Sequence, residues 1–353
     1  MEEIMIYPYC RAYEPYVLNS DLIGNNRITA LVSPKGWGLE GGEIACGEKY
    51  LTVLSDFSRA LEECTAVWFV DDEKDALPET LLKERLSEAI AKGKKIIFTR
   101  YNDAISFDKS VQMIPHGQNI TPVRQTLEVR SSGPYCIHRI NTPVLAVYGL
   151  ETGVDKLAVQ IALRRQFMDM GYKVASVASR LDSDLLGMYS IPGFMFSNRY
   201  SESEKIIKYN HFIKAVECRE RPDLIIVGIP GGVFPFNEID DNNFGILAYE
   251  ISFAVSCDAA VMCMAYNPQF SGEYDDIKSD VTHRLGFHTV CCHIAAAVPD
   301  TQDFFEKRKR HLVSIDRKYI DRKKDFYEPR NIYNMQDKDS AKKAAILIRD
   351  VLS

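Results

Sequence analysis

The segment Val147–Gln160, VYGLETGVDKLAVQ, gathers residue types that handle anions. An apolar run ends at Gly149, a loop with a second glycine (Gly153) follows, and Lys156 opens a helical pattern. Such a strand, loop and helix bind phosphate because backbone N–H groups and a helix N-terminus converge on the anion. Glycine lets the main chain approach without a Cβ, the lysine adds a point charge, and a hydroxyl after it holds Mg²⁺. Gly149 stands six residues before Asp155, a G-x-x-x-x-x-x-K spacing with the glycine before the lysine replaced. Two positions depart from that chemistry. Asp155 occupies the glycine position next to the lysine, and at ~4 Å with an effective dielectric near 20 its charge would repel a phosphate charge by roughly 4 kcal/mol. It escapes that cost only by pointing outward or by pairing with neighbours of Lys156. Leu157 replaces the hydroxyl and cannot ligate a metal.

Other constellations carry weaker chemistry. The glycine cluster Ser33–Glu43, SPKGWGLEGGE, follows an apolar strand pattern. Ligands of open parallel sheets sit at strand carboxyl ends, so Trp37 could stack on a ring; the preferred reading is a tight turn whose glycines allow positive φ. His283, His288 and His293 recur every five residues, a spacing that shares neither a helix face nor a strand face, so a zinc site is not expected. Cys291 and Cys292 read as adjacent strand residues facing opposite ways. Thr301–Arg330 holds ten Lys or Arg against six acids, interleaved with Phe304, Phe305, Tyr319, Phe326 and Tyr327. The preferred reading is a solvated helix with its aromatics on the core; the alternatives are a groove for an acidic leader peptide or for nucleic acid. No Gly-x-Ser-x-Gly elbow signals an α/β-hydrolase.

The elements that must position these residues alternate along the chain. Strand patterns fall at Ile4–Tyr7, Arg27–Ser33, Ala66–Asp71 and Lys95–Thr99, with helical patterns at Thr52–Glu63 and Pro78–Lys92, the latter stopped by Gly93. The pattern weakens from Asn102 to Asn141, where RSSGPYCIHRINTP has the punctuation of a linker. Alternation then resumes: strands at Val144–Tyr148, Lys173–Ala178, Leu224–Val227 and Ala259–Ala265, an extended run at Thr289–Val298, and helices at Lys156–Met170, Ser203–Cys218, Asn243–Val255, Asp275–Leu285 and Ala341–Leu352. Apolar strands alternating with amphipathic helices imply parallel sheets covered by helices.

The whole chain sets the remaining bounds. Its 353 residues suit about two domains, and a 46% apolar share gives each a core. A net charge of −6 argues against a general nucleic-acid or anionic-membrane field. The nine cysteines are odd in number and form no C-x-x-C pair, so neither a disulfide framework nor a zinc or iron–sulfur site is signalled. With no secretory signal and no run of ~18 apolar residues, the chain is expected in the cytoplasm.

The stretch GLETGVDKLAVQIALRRQFMDMGYKVASVASR resembles the opening of dethiobiotin synthetase and its relatives, whose loop reads Gly-Thr-Asp-Thr-x-Val-Gly-Lys-Thr. Gly149, Thr152, Val154 and Lys156 match in place, and Glu151 substitutes for the acidic residue. PDLIIVGIPGG is similar to that family's strand ending in Glu-Gly-x-Gly-Gly: Asp223, Gly231 and Gly232 fit, while Gly228 stands where the family has its metal-binding or catalytic glutamate. The resemblance, over roughly residues 143–270, implies a nucleotide site with Gly149, Thr152, Gly153, Val154, Asp155, Lys156, Leu157, Gly231, Gly232 and Asn267. Asp182 and Asp184 lie where relatives place an acidic Mg²⁺ group. With the hydroxyl lost at Leu157 and the glutamate lost at Gly228, binding of ATP or another nucleotide is expected to survive better than Mg²⁺ coordination or fast hydrolysis.

Along its full length the chain also resembles a family of peptide maturation system proteins, through MIYPY, LVSPKGWGLEG and VYGLETGVDKLAVQ. These accompany radical-SAM enzymes and small Cys-rich, bacteriocin-type precursor peptides in bacterial natural-product clusters. That resemblance implies a precursor peptide and maturation enzymes as partners; a homodimer is a possible assembly. The sequence therefore leads to two α/β domains with mainly parallel sheets: a Rossmann-like domain at 1–125, a linker at 126–141, and a P-loop NTPase-like domain at 142–353 with a degenerate phosphate loop. The expected function is an accessory or binding protein of ribosomal-peptide maturation. The alternatives are an active ATP-dependent enzyme of the dethiobiotin-synthetase type (amide-forming ligase or NTPase) and a pure interaction scaffold.

Overall fold

A computed structural model describes residues 1–70, 77–98, 120–122, 136–235, 241–267, 274–300 and 312–353. Asp71, Thr99, most of the weakly patterned stretch before Asn141, and the 301–311 part of the basic stretch lie outside those residues. Contacts divide the chain into two compact units, Met1–Gln125 with Leu181–Ser190, and Thr126–Arg180 with Ile191–Ser353. The segment 181–190 thus departs from the expected continuous C-terminal domain and folds with the first unit. Its 3₁₀ turn Ser183–Leu186 buries Leu186, and the buried Asp182 carboxylate accepts the hydroxyl of Tyr16.

The first unit is a seven-stranded sheet in the order β3-β4-β2-β1-β5-β6-β7. Its strands are β1 (Glu3–Tyr7), β2 (Arg27–Val32), β3 (Glu43–Cys46), β4 (Lys49–Leu54), β5 (Ala66–Phe69), β6 (Lys95–Phe98) and β7 (Ile120–Pro122). All neighbours are parallel except β3 and β4, an antiparallel edge pair. Helices α1 (Glu14–Leu18), α2 (Phe57–Glu62) and α3 (Glu79–Ala91) belong to this unit. The expected helix over Thr52–Glu63 is corrected: Thr52–Leu54 ends β4, and α2 starts only after Asp56, whose carboxylate accepts the Arg59 amide at 3.1 Å. One core cluster joins Met5, Val32, Val67, Phe69 and Ile96 of the strands to Phe57, Leu61, Leu86 and Ala89 of the helices. Trp68 is buried edge-on to Tyr13 and Tyr16, with ring centroids 5.4 and 5.0 Å away.

The second unit is a six-stranded, wholly parallel sheet, β15-β12-β11-β8-β10-β9. Its strands are β8 (Val144–Gly149), β9 (Val174–Val177), β10 (Leu224–Gly228), β11 (Ala259–Ala265), β12 (Thr289–Ala295) and β15 (Ile332–Tyr333); β13 (Ala297–Pro299) and β14 (Leu312–Ser314) form a separate antiparallel pair. The helices are α4 (Lys156–Asp169), α5 (Glu202–Glu220), α6 (Ile246–Ala254), α7 (Asp275–Leu285), α8 (Arg317–Asp321), α9 (Lys324–Tyr327) and α10 (Lys338–Leu352). β8, β10 and β11 are buried at every position, as strands covered on both faces must be. One core cluster joins Val147, Ile226 and Val261 of the sheet to Val159, Leu163 and Phe167 of α4 and to Ala341, Ala344 and Ile348 of α10. Strand order reverses at β8, which lies between β10 and β11 with the chain leaving it towards β9. Such a switch point opens a crevice at the strand carboxyl ends, where ligands of open α/β sheets bind. Among the described residues, no helix is long and apolar enough to cross a membrane.

Candidate anion-binding site

The loop after β8 closes tightly on itself. A Cβ on Gly149 would stand 2.6 Å from the Glu151 carbonyl oxygen, 2.8 Å from Val154 Cγ2 and 3.1 Å from Lys156 Cδ. Only glycine fits there, because the loop and the lysine stem both cross that backbone. The loop is also tied to β11 and to the loop after β10. The Leu150 amide donates to the Cys263 carbonyl at 3.0 Å, the Ala265 amide donates to the buried Glu151 carboxylate at 3.3 Å, and the Val233 amide donates to the Gly149 carbonyl at 3.2 Å. Glu151, matched to the relatives' acidic loop residue, thus anchors the loop on β11. Val154 is wholly buried in the core cluster, and Thr152 is half-buried.

Asp155 takes φ 59°, ψ 19°, a left-handed conformation that glycine adopts most readily. Asp is among the few non-glycine residues that visit this region at all readily, so the replacement is compatible with the backbone path. Its carboxylate makes no capping bond to α4. Instead, it stands 3.5 Å from Nε2 of His293 on β12, a wholly buried ring, while Asp155 itself keeps 30% exposure. Nδ1 of His293 accepts the Met335 amide at 3.0 Å, which puts the ring proton on Nε2, facing Asp155. The loop's extra negative charge is thereby turned towards a fixed donor, and the amides of the first turn of α4 keep the partial positive charge of a helix N-terminus.

Lys156 is only 9% exposed, and its ammonium donates to the Gly231 carbonyl. Gly231 and Gly232 lie in the loop after β10, so the second matched glycine pair does meet the first loop. A Cβ on Gly232 would stand 2.7 Å from the Leu150 carbonyl oxygen. The Asn242 amide fastens the two loops, donating to Leu150 at 3.2 Å and to Phe234 at 2.8 Å. Asn267 is exposed two residues beyond Ala265, on the same carboxyl edge of the sheet.

The positions that would serve Mg²⁺ are occupied otherwise. Leu157 is buried. At Gly228, where the relatives' glutamate would project, any Cβ would overlap the carboxamide of Gln160. That wholly buried side chain donates to the Val177 carbonyl at 3.0 Å and accepts the Ser179 amide at 3.3 Å, lacing the end of β9 to α4. Asp182 and Asp184 belong to the first unit, not to the domain of the loop as expected. Besides the Tyr16–Asp182 bond, the Asp184 carboxylate accepts the Ser190 hydroxyl, and the short 3₁₀ turn between them fixes both.

The remaining candidates are dispersed. His283 is exposed on α7 with Nδ1 2.8 Å from the Ser279 carbonyl oxygen, His288 is exposed before β12, and His293 is buried at the loop. Cys291 joins the core cluster with α10, and Cys292 is buried with its thiol pushed up to about 12 by desolvation. In the first unit, the Trp37 amide closes a turn on the Pro34 carbonyl at 3.2 Å, with positive φ at Gly36 and Gly38. The described part of the basic stretch is β14, two short helices and a 3₁₀ turn, not one helix. Tyr327 is buried, whereas Tyr319 and Phe326 are exposed, and Lys323 reaches the Tyr266 hydroxyl at 2.6 Å. His293 and Gln160 are the site residues whose roles sequence patterns do not disclose, since one depends on strand order and the other on helix packing.

No protein-family model and no curated protein matches the chain. Among solved structures, a DUF1611 family protein from Anabaena variabilis superposes with a TM-score of 0.62 at 10% identity, covering 100% of this chain and 99% of that one. At such identity the likeness is one of fold. Two others are cobyrinic acid a,c-diamide synthase from Mycobacterium smegmatis with bound ADP and magnesium (TM-score 0.34, 14% identity, 60% of this chain and 96% of that one) and the MinD cell division protein of Aquifex aeolicus (TM-score 0.31, 14% identity, 60% and 97%). The α/β class with mainly parallel sheets stands on the strand order itself.

Proposed function

We propose that the second unit binds a nucleotide or related polyphosphate anion in the loop Gly149–Leu157 without turning it over rapidly, and that the chain serves as an accessory binding protein in ribosomal-peptide maturation. The observation that carries the reading is the paired arrangement of Asp155 and Lys156. The loop keeps the left-handed residue and the lysine of a phosphate loop, and the added carboxylate faces His293. Leu157 and the Gln160-filled place at Gly228 argue against Mg²⁺ coordination there, and hence against phosphoryl transfer that depends on it. A precursor peptide and maturation enzymes as partners follow from the family resemblance alone.

The test is thermal unfolding with ATP or GTP, with and without Mg²⁺. A ligand at 100 times its Kd adds about 2.7 kcal/mol, so saturating nucleotide is expected to raise Tm without Mg²⁺ and to lose that effect in Lys156→Ala. No shift with any nucleotide or with pyrophosphate would overturn the binding site. Mg²⁺-dependent ATP turnover lost in Lys156→Ala would replace the accessory role with an amide-forming ligase or NTPase.

A further inference from the structure

The expected linker, 126–141, carries Cys136 and His138 two residues apart, and His211 faces them from α5. One ligand atom from each lies within 4.8 Å of the other two. The His138 and His211 ring centroids are 4.7 Å apart. We propose that Cys136, His138 and His211 form a binding site for a zinc-type divalent cation.

The chemistry of the set favours that class. Two imidazoles and a thiolate are borderline-soft donors, suited to Zn²⁺ and its transition-metal neighbours and unsuited to Mg²⁺ or Ca²⁺. Zn–S near 2.3 Å and Zn–N near 2.0–2.1 Å place tetrahedral ligands about 3.3–3.8 Å apart, so closing on the ion needs side-chain movements of about 1 Å. Three protein ligands leave a fourth position for solvent or an incoming ligand, the arrangement of open rather than purely structural zinc sites.

The site is held by its surroundings. Nε2 of His211 lies 2.9 Å from the Cys136 carbonyl oxygen. Donation to that carbonyl fixes the tautomer and leaves Nδ1 as the ring nitrogen with a lone pair, the outer bond that metal-binding histidines make. The buried carboxamide of Asn210 accepts the His138 amide at 2.7 Å and donates to the His138 carbonyl at 2.9 Å, fixing the backbone of the second ligand. One and two turns further along α5, Lys214 donates to the Arg139 carbonyl at 2.9 Å, and Glu217 accepts the amides of Asn141 and Thr142 at 2.6 and 2.8 Å. The Lys214 charge is itself paired with Glu217. Four side chains of one helix thus clamp an otherwise irregular segment in the register that puts Cys136 and His138 beside His211.

The experiment uses the full chain stripped of metal with a chelator. Zn²⁺ is titrated against a chromophoric chelator, and Co²⁺ binding is followed by absorption. One equivalent of Zn²⁺ per chain is expected, with a thiolate-to-Co²⁺ charge-transfer band. Cys136→Ser should remove the band and, like His211→Ala, weaken Zn²⁺ binding by at least about tenfold. Cys218→Ser, at another exposed cysteine of α5, and Lys156→Ala should leave binding unchanged. Unaltered Zn²⁺ affinity in Cys136→Ser, or loss in Cys218→Ser, would overturn the site. Unfolding temperatures of the metal-free variants check that they fold; if His211→Ala does not, the exposed Cys136→Ser decides.

Discussion

Replacing Asp155 with glycine would restore the residue of the standard loop without changing the backbone path, because the left-handed conformation is already in place. It would also remove one of the loop's two carboxylates, leaving Glu151 bonded to the Ala265 amide of β11. Asp155→Gly is therefore expected to tighten ATP or pyrophosphate binding by about tenfold or more, which is ~1.4 kcal/mol, in isothermal titration. An unchanged or weaker affinity would mean that the approach of Asp155 to His293 shapes the loop rather than shields it. The sequence exposes half of this logic. A missing glycine and a missing hydroxyl are legible as letters, and so is the glycine at 228. What holds the altered loop is not legible: His293 reaches Asp155 only because β12 follows β11 in the sheet, and Gln160 reaches Gly228 only because α4 covers β10. Neither relation leaves a trace in local spacing.

Elements were readable where burial leaves no choice. β8, β10 and β11 are apolar runs covered on both faces, and their positions follow from composition alone. The β3–β4 pair escaped because its residues are largely exposed or half-exposed, so no core face imposes an alternation, and the end of β4 merges with the apolar pattern of α2. Helix pairing carries its own test. Glu250 on α6 is wholly buried, with Lys205 of α5 at 3.4 Å. Desolvation outweighs the lysine and raises the carboxyl above its ordinary value of 4.5. A carboxyl raised on folding contributes stability that is fully present below its unfolded value and lost as pH rises through the folded one. Glu250→Gln should consequently match the parent chain near pH 4 and exceed it at pH 8, by about 2–4 °C in Tm if the effect is ~1 kcal/mol. A variant less stable at pH 8 would show that the Lys205 attraction prevails.

At the scale of the molecule, the chain does not pass once from one unit to the other. It leaves the second unit after Arg180, lends Leu181–Ser190 to the first, and returns at Ile191. Sequence alternation cannot reveal such an excursion, since the segment is a 3₁₀ turn with no strand or helix period, and the strand order on either side is undisturbed. Its anchor is the Tyr16 hydroxyl on the buried Asp182 carboxylate, a bond to a charged acceptor that is worth about 1.5–3 kcal/mol when removed. Tyr16→Phe keeps the ring that packs on Trp68 and deletes only the donor. The expected result is a loss of that size in urea unfolding, sensed by Trp68 fluorescence, with the nucleotide-induced shift of the second unit retained. An unchanged unfolding midpoint in Tyr16→Phe would mean that this bond does not anchor the segment.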